Sequence, residues 1–294
     1  MRIFVPRTWP EYPLYKTFFK ENVKTSKETF IFPPIIQPKH LEYFEDENIC
    51  KILLITEPIK NFSKSGENFH LTYKLFLNNK FDIIVGCINH DIENRRFKFP
   101  IYLFQWNFNY KSDKLYLSTN KYVQESIDNK KFCCLINGWD PDGHRTKMYN
   151  KLSSLGNIFC PGKLLNNCPT FPRGNNTKPK YIRNFWFNIC SENYDHNNIE
   201  GYITEKLMDA CLGGAIPIYA GWFDEYDAKI FNKDRILFYN SKDELSFEKV
   251  YKQIKELLEN KEKLISFYRQ PVFCETAFET IQKLRNDFVS FSTS

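Results

Sequence analysis

Phe185-Trp-Phe-Asn-Ile-Cys-Ser-Glu-Asn-Tyr194, followed after seven residues by Tyr202-Ile-Thr-Glu-Lys-Leu-Met-Asp-Ala-Cys-Leu-Gly-Gly-Ala-Ile-Pro-Ile-Tyr-Ala-Gly221, sets the architecture of this chain. The run from Phe185 to Cys190 is apolar and aromatic, as in a buried strand, and it delivers the polar pair Glu192 and Asn193 at its C-terminal end. In α/β sheets ligands gather at that edge. Thr204 is a good N-cap, Leu207, Met208, Cys211 and Leu212 recur at helical spacing, and the paired Gly213 and Gly214 supply a stop. Glu205 and Lys206 therefore fall in a first helical turn. Backbone N–H groups and the helix macrodipole favour an anion such as a diphosphate there, and Lys206 adds a full positive charge.

The same alternation extends on both sides. From Phe132 onward the pattern predicts strand 132–137, helix 145–155, strands 157–160 and 185–190, helix 204–212, strands 215–219 and 235–239, and helix 243–259. Strands alternating with helices argue for a parallel sheet covered on its faces. The Pro, Gly and Asn clusters of 161–180 read as a loop. Before this half lie a Pro-rich opening, a strand at Ile52–Thr56, a helix-prone piece at His70–Leu77, a strand at Phe81–Val85 and an aromatic segment at Tyr102–Tyr110. Residues 111–131 are polar and lack apolar periodicity over much of their length. The domain boundary is placed there, giving domains 1–128 and 129–294, with a last helix at 275–288 expected to return to the first domain.

Composition agrees. A chain of 294 residues, 42% hydrophobic and 17% aromatic, has material for two packed cores. The net charge of +6 is spread without a basic block, which favours a mixed solvated surface over a nucleic-acid interface. No stretch approaches the ~20 apolar residues of a membrane helix, and the N-terminus has no apolar run of signal length. The nine cysteines are odd in number, and several sit inside strand or helix patterns as small buried hydrophobes. They point to a reducing compartment, so the expected location is cytoplasmic, and the sequons Asn61-Phe-Ser63 and Asn175-Asn-Thr177 read as chance matches.

Glu-Asn, a short loop, Tyr-x-Thr-Glu-Lys, a helix and Ile-Pro-x-x-x-Gly, in this order, resemble glycosyltransferase family 10, the α-1,3/4-fucosyltransferases. The strand Phe132–Asn137 with Arg145 beyond it is similar to a second family block, and Ile52–Pro58 followed by Lys80–Gly86 to a third. The resemblance spans roughly residues 50–270 and is strongest over 132–221. It implies a GT-B fold, two Rossmann-like domains facing a cleft, with the nucleotide in the second. Only about fifty residues precede Thr56-Glu57, so the first domain reads as reduced.

The resemblance further implies an inverting transfer of L-fucose from GDP-β-L-fucose to a glycan hydroxyl. Such a displacement needs a group to take the hydroxyl proton and cations to stabilise the leaving diphosphate. Glu57 is the candidate base, and Arg145 and Lys206 are the candidate diphosphate clamp. Glu205 resembles the residue that binds the ribose, and Asn193 and Tyr202 resemble the donor-pocket lining; Asn137 and Glu192 join the expected donor set, Asn137 closing the strand edge beside the nucleotide and Glu192 orienting its neighbours. No cofactor is required. Asp140-Pro-Asp142 has the Asp-x-Asp form of metal-dependent transferases, but it lies in a strand-to-helix loop and reads as a solvated turn. The histidines and Cys160/Cys168 have no ligand spacing, so no metal site is expected, although a stimulatory divalent ion is compatible with the residues. Two other readings remain open: a GT-B transferase for another nucleotide sugar, and a silent carbohydrate-binding relative. The acceptor, its linkage and the oligomeric state are not set by the sequence.

Overall fold

The computed structural model describes residues 2–3, 12–23, 25–33, 36–56, 67–88, 91, 93, 95–105, 114–125, 127–171, 177–194 and 199–293. The chain divides into two compact units. The first comprises Met1–Phe108, Ile199–Thr204 and Gln282–Ser294, and the second Asn109–Asn198 and Glu205–Ile281.

Unit 1 is built on a parallel sheet in the order β1 (Arg2–Ile3), β2 (Glu28–Phe32), β3 (Ile49–Ile55), β4 (Ile83–Gly86) and β5 (Arg96–Lys98). Every residue of β3 is buried, the pattern of a strand paired on both edges and covered on both faces. Lys51 meets this burial by sending its Nζ to the carbonyls of Asp46, at 2.8 Å, and Ile49, at 3.3 Å. The sheet is reached economically, since β1 has 2 residues and β5 has 3. The Pro-rich opening contributes α1 (Tyr12–Asn22) and β2, which the sequence pattern had not resolved. Further helices are α2 (Glu67–Leu77) and α3 (Ile101–Gln105).

Unit 2 opens with α4 (Lys114–Glu125), inside the stretch expected to be an irregular boundary. Its buried stripe is Tyr116, Thr119 and Val123, at helical spacing but with a threonine in the middle, which hides the period. Asn120 on the same helix donates to the Phe273 carbonyl at 3.1 Å and accepts from the Val272 N–H at 2.8 Å. These contacts join α4 to unit 2, so the units divide at 108/109, ahead of the expected 128/129.

The strands of unit 2 are β6 (Lys131–Leu135), β7 (Ile158–Phe159), β8 (Phe185–Ile189), β9 (Ile216–Tyr219) and β10 (Leu237–Phe238), all parallel, in the order β10-β9-β8-β6-β7. Their helices are α5 (His144–Leu152), α6 (Thr177–Ile182), α7 (Glu205–Gly213), α8 (Glu244–Glu259) and α9 (Lys261–Arg269). The short α6 corrects the loop expected over 161–180. Asn188 is a buried polar residue within β8, and its Nδ2 is satisfied across the sheet by the Cys134 carbonyl at 2.9 Å. From β6 the chain crosses to one side of the sheet, and from β8, its neighbour, to the other. The diverging exits of β6 and β8 make a topological switch point, where an open parallel sheet binds ligands.

α10 (Ala277–Thr293) begins in unit 2 and passes to unit 1 from Gln282. Within unit 1, the ring of Phe288 packs 5.4 Å from Phe18, 5.3 Å from Phe97 and 5.7 Å from Phe99. Asn22 is held by Arg285 Nε, at 2.8 Å to its Oδ1, and by Ser292 Oγ, at 3.0 Å to its carbonyl.

Candidate functional site

The exit of β6 carries Asn137, which is buried. Leu164 donates to its carbonyl at 3.0 Å, and a Cβ on Gly162 would lie only 2.2 Å from that oxygen, so glycine is what lets the following loop close on this strand end. Farther along, Asp140 accepts from Arg145 N–H at 3.4 Å, from Thr146 N–H at 2.8 Å and from Thr146 Oγ–H at 2.7 Å. The acid of the Asp-x-Asp pattern expected to be a solvated turn is thus the cap of α5, satisfying donors that a helix start leaves open.

The exit of β8 carries Ser191, Glu192 and Asn193. Glu192 is fully buried. Its Oε2 lies 3.1 Å from Lys206 Nζ, and its Oε1 lies 3.5 Å from Tyr219 Oη. Lys206, near the start of α7, is itself buried and lies 3.7 Å from Glu205. Gly221, the last residue of Ile-Pro-x-x-x-Gly, permits this approach: a Cβ there would meet Tyr219 Oη at 2.3 Å and Glu192 Cγ at 2.8 Å.

Arg145 is fully buried. Its Nε and Nη2 donate to the Ser191 carbonyl at 3.0 and 2.7 Å, Nη2 also donates to Asn193 Oδ1 at 2.9 Å, and Nη1 donates to the Trp139 carbonyl at 2.5 Å. All but one of its N–H donors are therefore committed to protein acceptors. The residue expected to grip a diphosphate ties the exits of β6 and β8 together instead, and its charge sits directly behind Asn193.

Helix α7 is fixed at its far end by two glycines with different tasks. A Cβ on Gly213 would fall 2.5 Å from Ile182 Cγ2, so α6 and α7 pack closely there, while Gly214 turns the chain at φ +74°. Gly214 N–H bonds to Cys211 O at 2.8 Å and Ala215 N–H to Ala210 O at 3.2 Å, the paired bonds of a Schellman stop. Buried Arg235 then covers the carbonyls of Gly214 and Ala215 at 2.7 and 2.9 Å. One turn along α7 from Glu205, Asp209 pairs with Lys178 of α6 at 2.7 Å. Burial pushes the Asp209 carboxyl up to about 6, Lys178 opposing the rise and Glu205 adding to it. Burial lowers the Lys178 ammonium, but Asp209 and Glu205 outweigh it and the net shift is upward. Both partners hold protons more tightly than in water, Asp209 because it is buried and Lys178 because two carboxylates face it.

Five of the expected residues thus converge: Arg145 with Asn193, and Glu192 with Lys206 and Glu205, beside Asn137 on the neighbouring strand exit. Tyr202 belongs to unit 1. It is fully buried in the 199–204 segment that packs with unit 1, where Cys87 Sγ lies 3.5 Å from the Ile203 carbonyl and Gly201, at φ +77°, approaches Ile88. Glu57 lies outside the described residues. Sequence reading missed His144, Ser191, Tyr219 and Tyr239, which knit the exit of β8 from beneath. Only the position of Ser191 beside Glu192 and of Tyr219 at a strand end could have flagged them. Exposed Trp139 meets Tyr194 edge-on at 5.7 Å on the same two exits. Among the described residues no group of three His, Cys, Asp or Glu side chains converges as a metal site requires, and no helix is long and apolar enough to cross a membrane.

A parallel sheet with a switch point flanked by a helix N-terminus defines the class: an open, doubly wound α/β protein. The fold comparison narrows it. A crystal structure of an α1,3-fucosyltransferase superposes with TM-score 0.61 at 17% identity, covering 99% of this chain and 90% of that one, and one with GDP-fucose superposes with TM-score 0.60 at 17% identity, covering 98% and 90%. The S. aureus TarM structure, at TM-score 0.54 and 14% identity, covers 96% of this chain and 58% of that one. The fold is GT-B. The family model for glycosyltransferase family 10 (fucosyltransferase), C-terminal part, matches residues 125–283, more than half of the chain. The chain belongs to glycosyltransferase family 10. Among its relatives, the 4-galactosyl-N-acetylglucosaminide 3-α-L-fucosyltransferase 9 of Bos taurus is 31% identical over 158 residues, covering 52% of this chain and 41% of the relative. The α-(1,3)-fucosyltransferase FucT of Helicobacter pylori is 30% identical over 129 residues, covering 44% of this chain and 25% of the relative. The chain therefore matches less than half the length of these curated relatives.

Proposed function

We propose that the protein binds GDP-β-L-fucose at the exits of β6 and β8 and transfers fucose, with inversion, to a hydroxyl of a glycan. The observation that carries this reading is the convergence of the family's motif residues at one switch point, with Lys206 in the first turn of α7. The helix start offers free N–H groups and a positive dipole end to the diphosphate, and Lys206 adds charge where the leaving group gains it. Glu192 and Glu205 hold the ammonium in place until an anion competes for it. Arg145 acts from behind, fixing Asn193 toward the donor and supplying positive potential without surface contact. Glu205 is placed for the ribose hydroxyls, and Asn137, whose amide has no protein partner among the described residues, for the nucleotide. Glu57 takes the acceptor proton in a single in-line displacement, on the strength of its Thr-Glu-Pro context.

The relatives named for 4-galactosyl-N-acetylglucosaminides make that disaccharide the acceptor class to try first. The test is mass spectrometry of galactosyl-N-acetylglucosamine incubated with GDP-fucose and the protein. Addition of one deoxyhexose with release of GDP is expected. Stabilisation by UDP or dTDP but not GDP in a thermal-shift panel would point to another donor. GDP binding without transfer to any glycan would leave a binding protein in place of an enzyme.

A further inference from the structure

His144, the first residue of α5, has no part in the expected donor set, yet it lies at the centre of a buried chain of hydrogen bonds. Its Nε2 is 3.0 Å from the Glu192 carbonyl, which can only accept, so Nε2 carries a hydrogen. Its Nδ1 is 3.0 Å from Tyr239 Oη, Ser191 Oγ is 2.8 Å from the same Oη, and Ala220 N–H donates to Ser191 Oγ at 3.0 Å. One proton arrangement serves every link: Ser191 donates to Tyr239, Tyr239 to Nδ1, and Nε2–H to Glu192. A second hydrogen on the imidazole makes Nδ1 a donor as well, which turns the buried Tyr239 hydroxyl onto Ser191 Oγ and drives the serine hydroxyl from its 2.8 Å bond to the longer contact with the Ile218 carbonyl at 3.4 Å. Arg145, the next residue, takes the carbonyl of Ser191 and the side chain of Asn193. Two consecutive residues of α5 thus hold three consecutive residues of the β8 exit, and the middle one carries the carboxylate that meets Lys206.

We propose that His144 is a positioning residue of the donor site: as a neutral imidazole it fixes Glu192, and through Glu192 the Lys206 ammonium, and its protonation loosens that hold so that donor binding is lost in acid. This rests on the donor-site reading above. The groups around the ring are Arg145 beside it on α5, Asp140 and Asp142 in the preceding turn, Tyr239 beyond β10, and Glu192 through its carbonyl. Helix α8, packed on α5, sends Glu244 and Glu248 to Lys147 and Lys151. Burial, and then Arg145, hold the imidazole below its ordinary pKa against the pull of Asp140 and Asp142, so the neutral ring prevails near neutrality.

The experiment is calorimetric titration of GDP between about pH 8 and about pH 5 for the parent, His144→Gln and His144→Phe, each first shown to melt cooperatively. A glutamine amide can donate to Glu192 and accept from Tyr239 but does not titrate. The parent is expected to lose roughly tenfold or more in affinity on the acid side, and His144→Gln to lack that acid limb. His144→Phe should bind weakly by a similar factor at every pH. An acid limb in His144→Gln equal to the parent's overturns the assignment, as does an imidazole ¹⁵N spectrum placing the neutral proton on Nδ1. A parent that binds no GDP at any pH overturns the donor reading itself, and is told apart because it precedes any comparison of variants.

Discussion

Lys206 and Glu192 form the pair on which the proposed donor site turns, and each is nearly or wholly removed from solvent. Removing one member of a buried pair leaves the other uncompensated, at a cost of about 3–5 kcal/mol. Lys206→Met should therefore destabilise the fold as well as abolish GDP binding. Adding Glu192→Gln should restore much of the stability, since the orphaned charge is gone, and none of the binding. Urea unfolding and calorimetry on the single and double variants read the two effects separately. A Lys206→Met protein that binds GDP like the parent would remove the lysine from the site. Glu57 makes a different prediction, because a base works only in the chemical step. Glu57→Gln should lower transfer by roughly 10² or more with GDP affinity unchanged. Near-parent transfer rates would pass the role to another acid.

At the scale of elements, what could be read in the sequence depended on how each element buries itself. β8, an apolar run broken only by Asn188 and leading to Glu192 and Asn193, and α7, with its spaced apolar residues and paired glycines, were legible because burial on all sides writes itself as composition. α4 was not, because Thr119 faces the core and Asn120 works through hydrogen bonds. The short α6 was lost among Pro, Gly and Asn, yet it is the surface against which Gly213 packs. In the site, the residue types and their strand-end places were readable, while the partnerships were not. Arg145 is a cation beside a phosphate motif in sequence, and only the fold shows its guanidinium turned onto Ser191 and Asn193. The glycine of α7 can be tested directly. Alanine favours helix by about 1 kcal/mol over glycine, but in Gly213→Ala the new Cβ would clash with Ile182, and such overpacking costs about 1–3 kcal/mol. A lower melting temperature is expected. A Gly213→Ala protein more stable than the parent would mean that α6 yields there.

At the scale of the whole chain, two segments of unit 1 lie beyond its first 108 residues: 199–204, which interrupts unit 2 between β8 and α7, and the second half of α10, which follows it. The family model covers unit 2 from residue 125 onward, the 199–204 segment and the start of α10, where the proposed donor residues cluster. The first 108 residues of unit 1 lie outside that match and share the fold of the solved fucosyltransferase, so the account rests on unit 2. Its central claim is that the diphosphate rests at the switch point of unit 2. A crystal structure of the protein with GDP tests this most directly. The account predicts the pyrophosphate at the N-terminus of α7, within hydrogen-bond reach of Lys206 Nζ or the first-turn N–H groups, with Arg145 still bonded to Ser191. GDP seated on the sheet of unit 1, or in unit 2 away from Lys206, would contradict it.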